Sequence, residues 1–267
     1  MLFRSMAGGD NIDNYKTIDG KPYKAAIRAL NLLKDASDKG DEVIVVATYL
    51  HLNNNIVIGT AKKNSFCVEK ILCKDRDIEL KTLMLENTFQ VEKSTFPLLF
   101  SLQPPYATLC IWEKGRLAVN SYYKYLCLVK QGQRPVLPVK LELLNPWQLE
   151  ILCEEWLRIN NRLAYKIAQT GRSMKDIDII GTTKENKLII GQVSFSGNQK
   201  KLDKLALYAQ NACSCDSYYF DSRLSISNLN FSNTSTIAVS IEDVFSSFIK
   251  EQRSYVFRLI YGFSVNE

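Results

Sequence analysis

The chain has 267 residues, room for one large domain or two ordinary ones, and the usual size of a domain favours two. It is 46% hydrophobic and 23% charged, the balance of a globular protein with a real core, and no run approaches the roughly 18 consecutive apolar residues of a membrane span. The formal charge is +6: residues 1–140 carry 20 Lys and Arg against 14 Asp and Glu, and residues 141–267 carry 14 of each. The positive surplus therefore lies in the N-terminal part, where it fits either attraction of a polyanion or an ordinary solvated surface.

A single histidine, His51, excludes His-rich zinc sites and His-dependent triads. Chemistry must run on carboxylates, lysines, hydroxyls or a hard metal ion. The seven cysteines form no CxxC pair and read as buried reduced thiols; Cys213 and Cys215 make a CxC, a weak metal signal. The opening MLFRSMAGGDN has no apolar h-region, so the expected location is cytoplasmic.

In chain order, residues 1–41 hold a polar leader and an amphipathic helix over 23–35, with Ala26, Ile27, Leu30 and Leu33 at helical spacing. Residues 42–140 carry β signals. EVIVVATYL and NIVIGTA flank the turn-forming Asn53, Asn54 and Asn55. YATLCIW and RLAVNSYYKYLCLV read as strands on either side of a hairpin turn at Glu113, Lys114 and Gly115. A small barrel or sandwich is expected over these residues. Its aromatic residues Tyr106, Trp112, Tyr122, Tyr123 and Tyr125 fit core packing or a base-stacking surface. Residues 131–138, with Gly132, Pro135 and Pro138, read as a linker.

From 141 to 267 the rhythm changes. A helix spans 146–160, with Asn145 as cap, Pro146 in its first turn and an inward stripe of Leu149, Leu152, Cys153, Trp156 and Leu157. Strands follow at 177–181 and 188–195, then a helix over 199–212, strands in SYYFDSRL and STIAVSI, and a helix in IEDVFSSFIKEQ. The order α-β-β-α-β-β-α predicts a mixed sheet flanked by helices, and the fold class is α/β (α+β) with a β-rich N-terminal part.

The segment with chemical content is DIDIIG, a turn, and LIIGQVSF. Asp176 and Asp178 are two apart and share one face of a strand, at the edge of a core made by Ile177, Ile179 and Ile180. A hairpin partner brings Gln192 and Ser194 alongside. Polar groups on a core hairpin are costly unless paired or bound to a cation. Carboxylate, amide oxygen and backbone carbonyl are hard donors that suit Mg²⁺ or Mn²⁺. A solvated strand end would also account for the acidic pair.

The same segment resembles Mrr-type members of the PD-(D/E)XK, or restriction-endonuclease-like, superfamily, over roughly residues 144–250. The elements that carry the likeness are a helix with an acid (LNPWQLEILCEEWLR), a basic-polar loop, a strand with an aspartate, a turn, a strand reading (E/Q)xK, and a helix. The resemblance puts Glu150 at the helix acid, Asp178 at the motif aspartate and Gln192 at the E/Q position. It implies a metal-dependent DNA endonuclease of the restriction or defence kind, with Asp178 and Gln192 as ligands of Mg²⁺ or Mn²⁺ and a homodimer for double-strand cleavage. The alternative it carries is a catalytically inactive nuclease-fold protein that binds nucleic acid or regulates a partner. One position departs from the pattern: the motif lysine is Ser194, and Lys200, Lys201 and Lys204 on the following helix are the available substitutes.

Overall fold

The computed structural model describes residues 2–5, 11–16, 19–48, 55–73, 76–92, 109–113, 117–168, 176–212, 215–232 and 234–262. His51, Asn53, Asn54, Tyr106, Lys114, Gly115, Cys213 and the Trp112 side chain lie outside them. The fold is mixed α/β, with contacts dividing the chain into two compact units, the second running from Val139 to Ile260. Among the described residues no helix is long and apolar enough to cross a membrane.

The first unit holds helix α1 (Lys24–Lys39) and strands β1 (Leu2–Ser5), β2 (Val43–Thr48), β3 (Asn55–Ala61), β4 (Cys67–Cys73), β5 (Arg76–Leu83), β6 (Leu85–Glu92) and β7 (Leu109–Glu113). They form a four-stranded antiparallel sheet in the order β6-β3-β2-β7 and a three-stranded one in the order β1-β5-β4. Helix α1 outruns the expected 23–35 because its apolar stripe continues. Leu33 and Ala36 are buried against Val43, Val45, Ala47, Ala61 and Leu83. Gly40 ends it at φ 57°, a left-handed conformation that glycine adopts without penalty.

RLAVNSYYKYLCLV is not a strand. It forms helix α2 (Leu117–Lys130), so β7 leads into a helix and pairs instead with β2. Val119, Tyr122 and Tyr123 recur at helical spacing and are buried, and that packing overrides the strand preference of the aromatic residues. Tyr123 sets its ring edge-on to Phe89 and donates to the Asn87 carbonyl at 3.1 Å, while Tyr122 stacks on Tyr125. Burial pushes the hydroxyls of Tyr122 and Tyr123 up to about 12. Tyr122 and Tyr123 are therefore core residues, not a stacking surface.

The second unit is built on a five-stranded sheet in the order β12-β11-β10-β9-β8, comprising β8 (Tyr165–Lys166), β9 (Ile179–Thr182), β10 (Leu188–Val193), β11 (Cys215–Asp221) and β12 (Ile237–Ser240). β9 runs antiparallel to both its neighbours, β8 and β10, while β10, β11 and β12 run parallel. Helices α3 (Pro146–Ile159), α4 (Gln199–Asn211), α5 (Arg223–Ser227), α6 (Ile241–Glu251) and α7 (Arg253–Tyr261) accompany it. α5, α7 and the edge strand β8 have no counterpart in the sequence reading, and the strand expected through Leu224 ends at Asp221, with Arg223 and Leu224 in α5 instead.

Helix α3 starts where the sequence puts it. The Asn145 side chain accepts from the Gln148 amide at 3.0 Å and Gln148 Oε1 accepts from the Asn145 amide at 2.7 Å, a closed capping box with Pro146 just inside. Leu149, Leu152, Cys153 and Leu157 are its buried face, and Trp156 stands edge-on to Phe220 of β11. Helix α4 covers part of the sheet through Leu202, Leu205 and Ala209, packed with Ile177, Ile190 and Tyr219.

Candidate active site

Strand β9 begins at Ile179, so Asp176 and Asp178 precede it rather than lying on it, and they part company. Asp176 turns to Lys204, whose ammonium reaches its two oxygens at 2.9 and 3.1 Å. Asp178 continues the β9–β10 register toward Gln192: its amide donates to the Gly191 carbonyl at 2.8 Å, and the two strands pair from Gly191↔Ile179 onward.

The Asp178 carboxylate is half-buried, and its Oδ2 accepts from the Val193 amide at 2.8 Å and from Gln192 Nε2. Gln192 is 1% exposed, and its Nε2 also donates to the Val193 carbonyl at 3.1 Å. Its Oε1 is buried and has no hydrogen-bond partner among the described residues. An unsatisfied buried acceptor costs about 1–3 kcal/mol, so its retention here needs a reason.

Helix α3 supplies Glu150. Burial first, and then the charge of Asp178, push its carboxyl up to about 7, while Lys166 and Lys201 oppose the shift. Burial likewise raises Asp178, against the Val193 amide, Lys201 and Gln192. The two carboxyl groups thus share one field. Cys153, one turn further along α3 and fully buried, is held a thiol by burial and by the same two carboxylates.

Lys201 is the only one of the three candidate lysines whose charge acts on both Glu150 and Asp178. Lys204 is committed to Asp176, and Lys200 is exposed. Ser194 is 2% exposed, and its amide donates to the Phe220 carbonyl at 2.8 Å. The motif position is therefore part of the packed sheet.

A second group escaped the sequence reading. Glu154, one turn beyond Glu150, binds Lys166 at 2.6 Å and Arg158 at 2.8 Å. Desolvation pushes Glu154 up, but those two cations outweigh it and hold its carboxyl below the usual range. Lys166 comes from the two-residue strand β8, whose sequence, Tyr165 and Lys166, carries no signal beyond a lysine in a loop. The i,i+4 spacing of Glu150, Glu154 and Arg158 on α3 was visible.

Among the described residues no cluster of three or more His, Cys, Asp or Glu side chains is arranged to hold a metal. A divalent ion would rest on one carboxylate, Asp178, with the Gln192 amide and the Val193 carbonyl as neutral oxygens. The residues present fit such an ion once the amide is turned: Asp178 Oδ2 and the Val193 carbonyl, both hard oxygens, converge on Gln192 Nε2, and the other end of that amide, Oε1, is buried with no partner among the described residues. Glu150 is near enough to add charge.

No family model matches the chain, and no curated protein matches it. Among solved structures it is similar to a repair endonuclease from Pyrococcus abyssi at 8% identity, covering 81% of this chain and 94% of that chain with a TM-score of 0.21. At that score the likeness carries no weight for fold or chemistry. The class is defined by the chain itself: a mixed α/β protein whose second unit gathers an aspartate, a buried glutamine, a glutamate and a lysine at one end of an antiparallel strand pair.

Proposed function

We propose that the second unit is a Mg²⁺- or Mn²⁺-dependent endonuclease that hydrolyses DNA phosphodiester bonds, serving restriction or defence, and that it works as a homodimer so that both strands can be cut. The observation that carries this reading is the pairing of Asp178 with Gln192 beside Glu150, within the field of Lys201.

Asp178 provides the anionic anchor and Gln192 a neutral oxygen. A divalent ion held there would make bound water more acidic and offset charge on the phosphate. Glu150, with its carboxyl at about 7, is poised to accept a proton from attacking water or to return one to the leaving oxygen. The Lys201 ammonium faces the negative charge that gathers on the phosphate, the task that Ser194 cannot perform. The N-terminal unit, with the surplus of positive charge, is assigned the recognition of DNA.

A second reading, an inactive nuclease-fold protein that binds nucleic acid, is favoured by one observation: Ser194 carries no cation and is buried. Incubating methylated and unmethylated plasmid with the protein and Mg²⁺ or Mn²⁺ separates the two. Cation-dependent nicking or linearisation supports the enzyme; duplex binding without cleavage under both ions supports the second reading.

A further inference from the structure

We infer that the Gln192 side-chain amide is a two-position latch, holding the site closed to cations in the orientation seen here and opening it by turning over. The inference rests on the proposed cation site and adds how that site is kept when no ion is bound.

The orientation seen here follows from elementary electrostatics. Gln192 Nε2 stands between two acceptors, Asp178 Oδ2 and the Val193 carbonyl 3.1 Å away, and donates to both. If nitrogen and oxygen exchanged places, three oxygens would converge with no proton between Gln192 and either acceptor. Without a positive charge that arrangement is repulsive, so the amide must present nitrogen.

The same orientation has a cost. It leaves Gln192 Oε1 buried and unpartnered among the described residues, in a residue that is 1% exposed. An amide serving the core alone would be expected to satisfy its oxygen as well. Here each orientation satisfies only one end: nitrogen toward Asp178 orphans the oxygen, and oxygen toward Asp178 needs a cation. Among the described residues, the Val193 amide is already spent on Asp178 Oδ2 and the Ser194 amide on the Phe220 carbonyl, each at 2.8 Å.

A divalent ion reverses the balance. With the amide turned, Asp178 Oδ2, Gln192 Oε1 and the Val193 carbonyl oxygen offer one negative and two neutral hard donors, and the ion replaces the lost donor hydrogen bonds. Binding is then coupled to breaking the two Nε2 hydrogen bonds. That coupling distinguishes glutamine at this position from glutamate, which has no donor with which to occupy the site when deprotonated.

The test reads the amide directly. Nuclear magnetic resonance of the full-length protein, with the Gln192 side-chain NH₂ pair assigned through bonds, follows that pair and the Asp178 carboxylate carbon during titration with Mg²⁺ alone. In the metal-free protein one NH₂ proton should lie downfield, as a donor to a carboxylate does. Mg²⁺ should move it upfield in step with the Asp178 carbon, and Asp178→Asn should leave it upfield from the start and insensitive to Mg²⁺. A shift of the Asp178 carbon with the NH₂ pair unmoved would overturn the latch and leave the cation site standing. If Mg²⁺ moved neither signal, the cation site would fall, and the latch with it.

Discussion

Glu150 shows how an ordinary residue becomes a candidate catalyst through its surroundings. A carboxyl whose folded pKa lies above its unfolded one binds its proton more tightly in the folded protein. Its stabilising contribution is therefore present at low pH and lost as pH rises from about 4.5 to about 7. Glu150→Gln keeps the shape of the protonated form. In the metal-free protein it should leave stability unchanged near pH 4.5 and raise it by about 1 kcal/mol at about pH 8, the modest figure reflecting solvent screening at a half-exposed side chain. Urea denaturation at the two pH values reads this; a difference that does not vary with pH would contradict it. Lys201 makes a second case. Lys201→Gln should lower any cleavage rate about 10²-fold or more, by loss of a charge aimed at the phosphate, while Lys200→Gln changes it little. Equal losses from both would assign the lysines to general attraction of DNA. Asp178 and Gln192 were singled out because polar side chains in apolar surroundings stand out in a sequence, and Glu150 through the resemblance alone. The choice of Lys201 over Lys204 was not legible, because it depends on Asp176 lying off the strand and capturing Lys204.

Among the elements, the shortest strand has a specific requirement. β8 lies against Gly181 of β9, where a Cβ would run into the Tyr165 carbonyl oxygen and Leu163. The carbonyl belongs to the backbone of β8, so Gly181→Ala must push the edge strand away and take Lys166 from Glu154. The expected cost is about 1–3 kcal/mol. It should shrink when Glu154→Gln is already present, because the ion pair at stake is then gone; denaturation of the single and double variants would show full additivity if the account is wrong. The helices whose ends carry local chemistry, α3 with its capping box and α1 with Gly40, were read from sequence to within a few residues. Helix α2 was not, because YYKYLCLV has the aromatic content of a strand and only burial of Val119, Tyr122 and Tyr123 on one side decides for a helix. β8 was invisible because two residues carry no period at all.

At the scale of the molecule, the sequence changes rhythm near residue 140, and contacts set off Val139–Ile260 as a compact unit. Charge divides the same way, with the surplus of six in residues 1–140. If that surplus meets phosphates, a fragment of residues 1–140 should hold duplex DNA more tightly at low salt than one of residues 141–267, and its affinity should fall as salt rises. The reverse order in a gel shift would move recognition to the second unit. The central claim is that Asp178 anchors a cation-dependent phosphodiesterase centre. Its most direct test is cleavage of supercoiled plasmid in Mg²⁺ or Mn²⁺ by the wild type and by Asp178→Ala, with duplex binding measured alongside. The account predicts nicked or linear product from the wild type and none from the variant, at equal binding; cleavage that survives Asp178→Ala would contradict it.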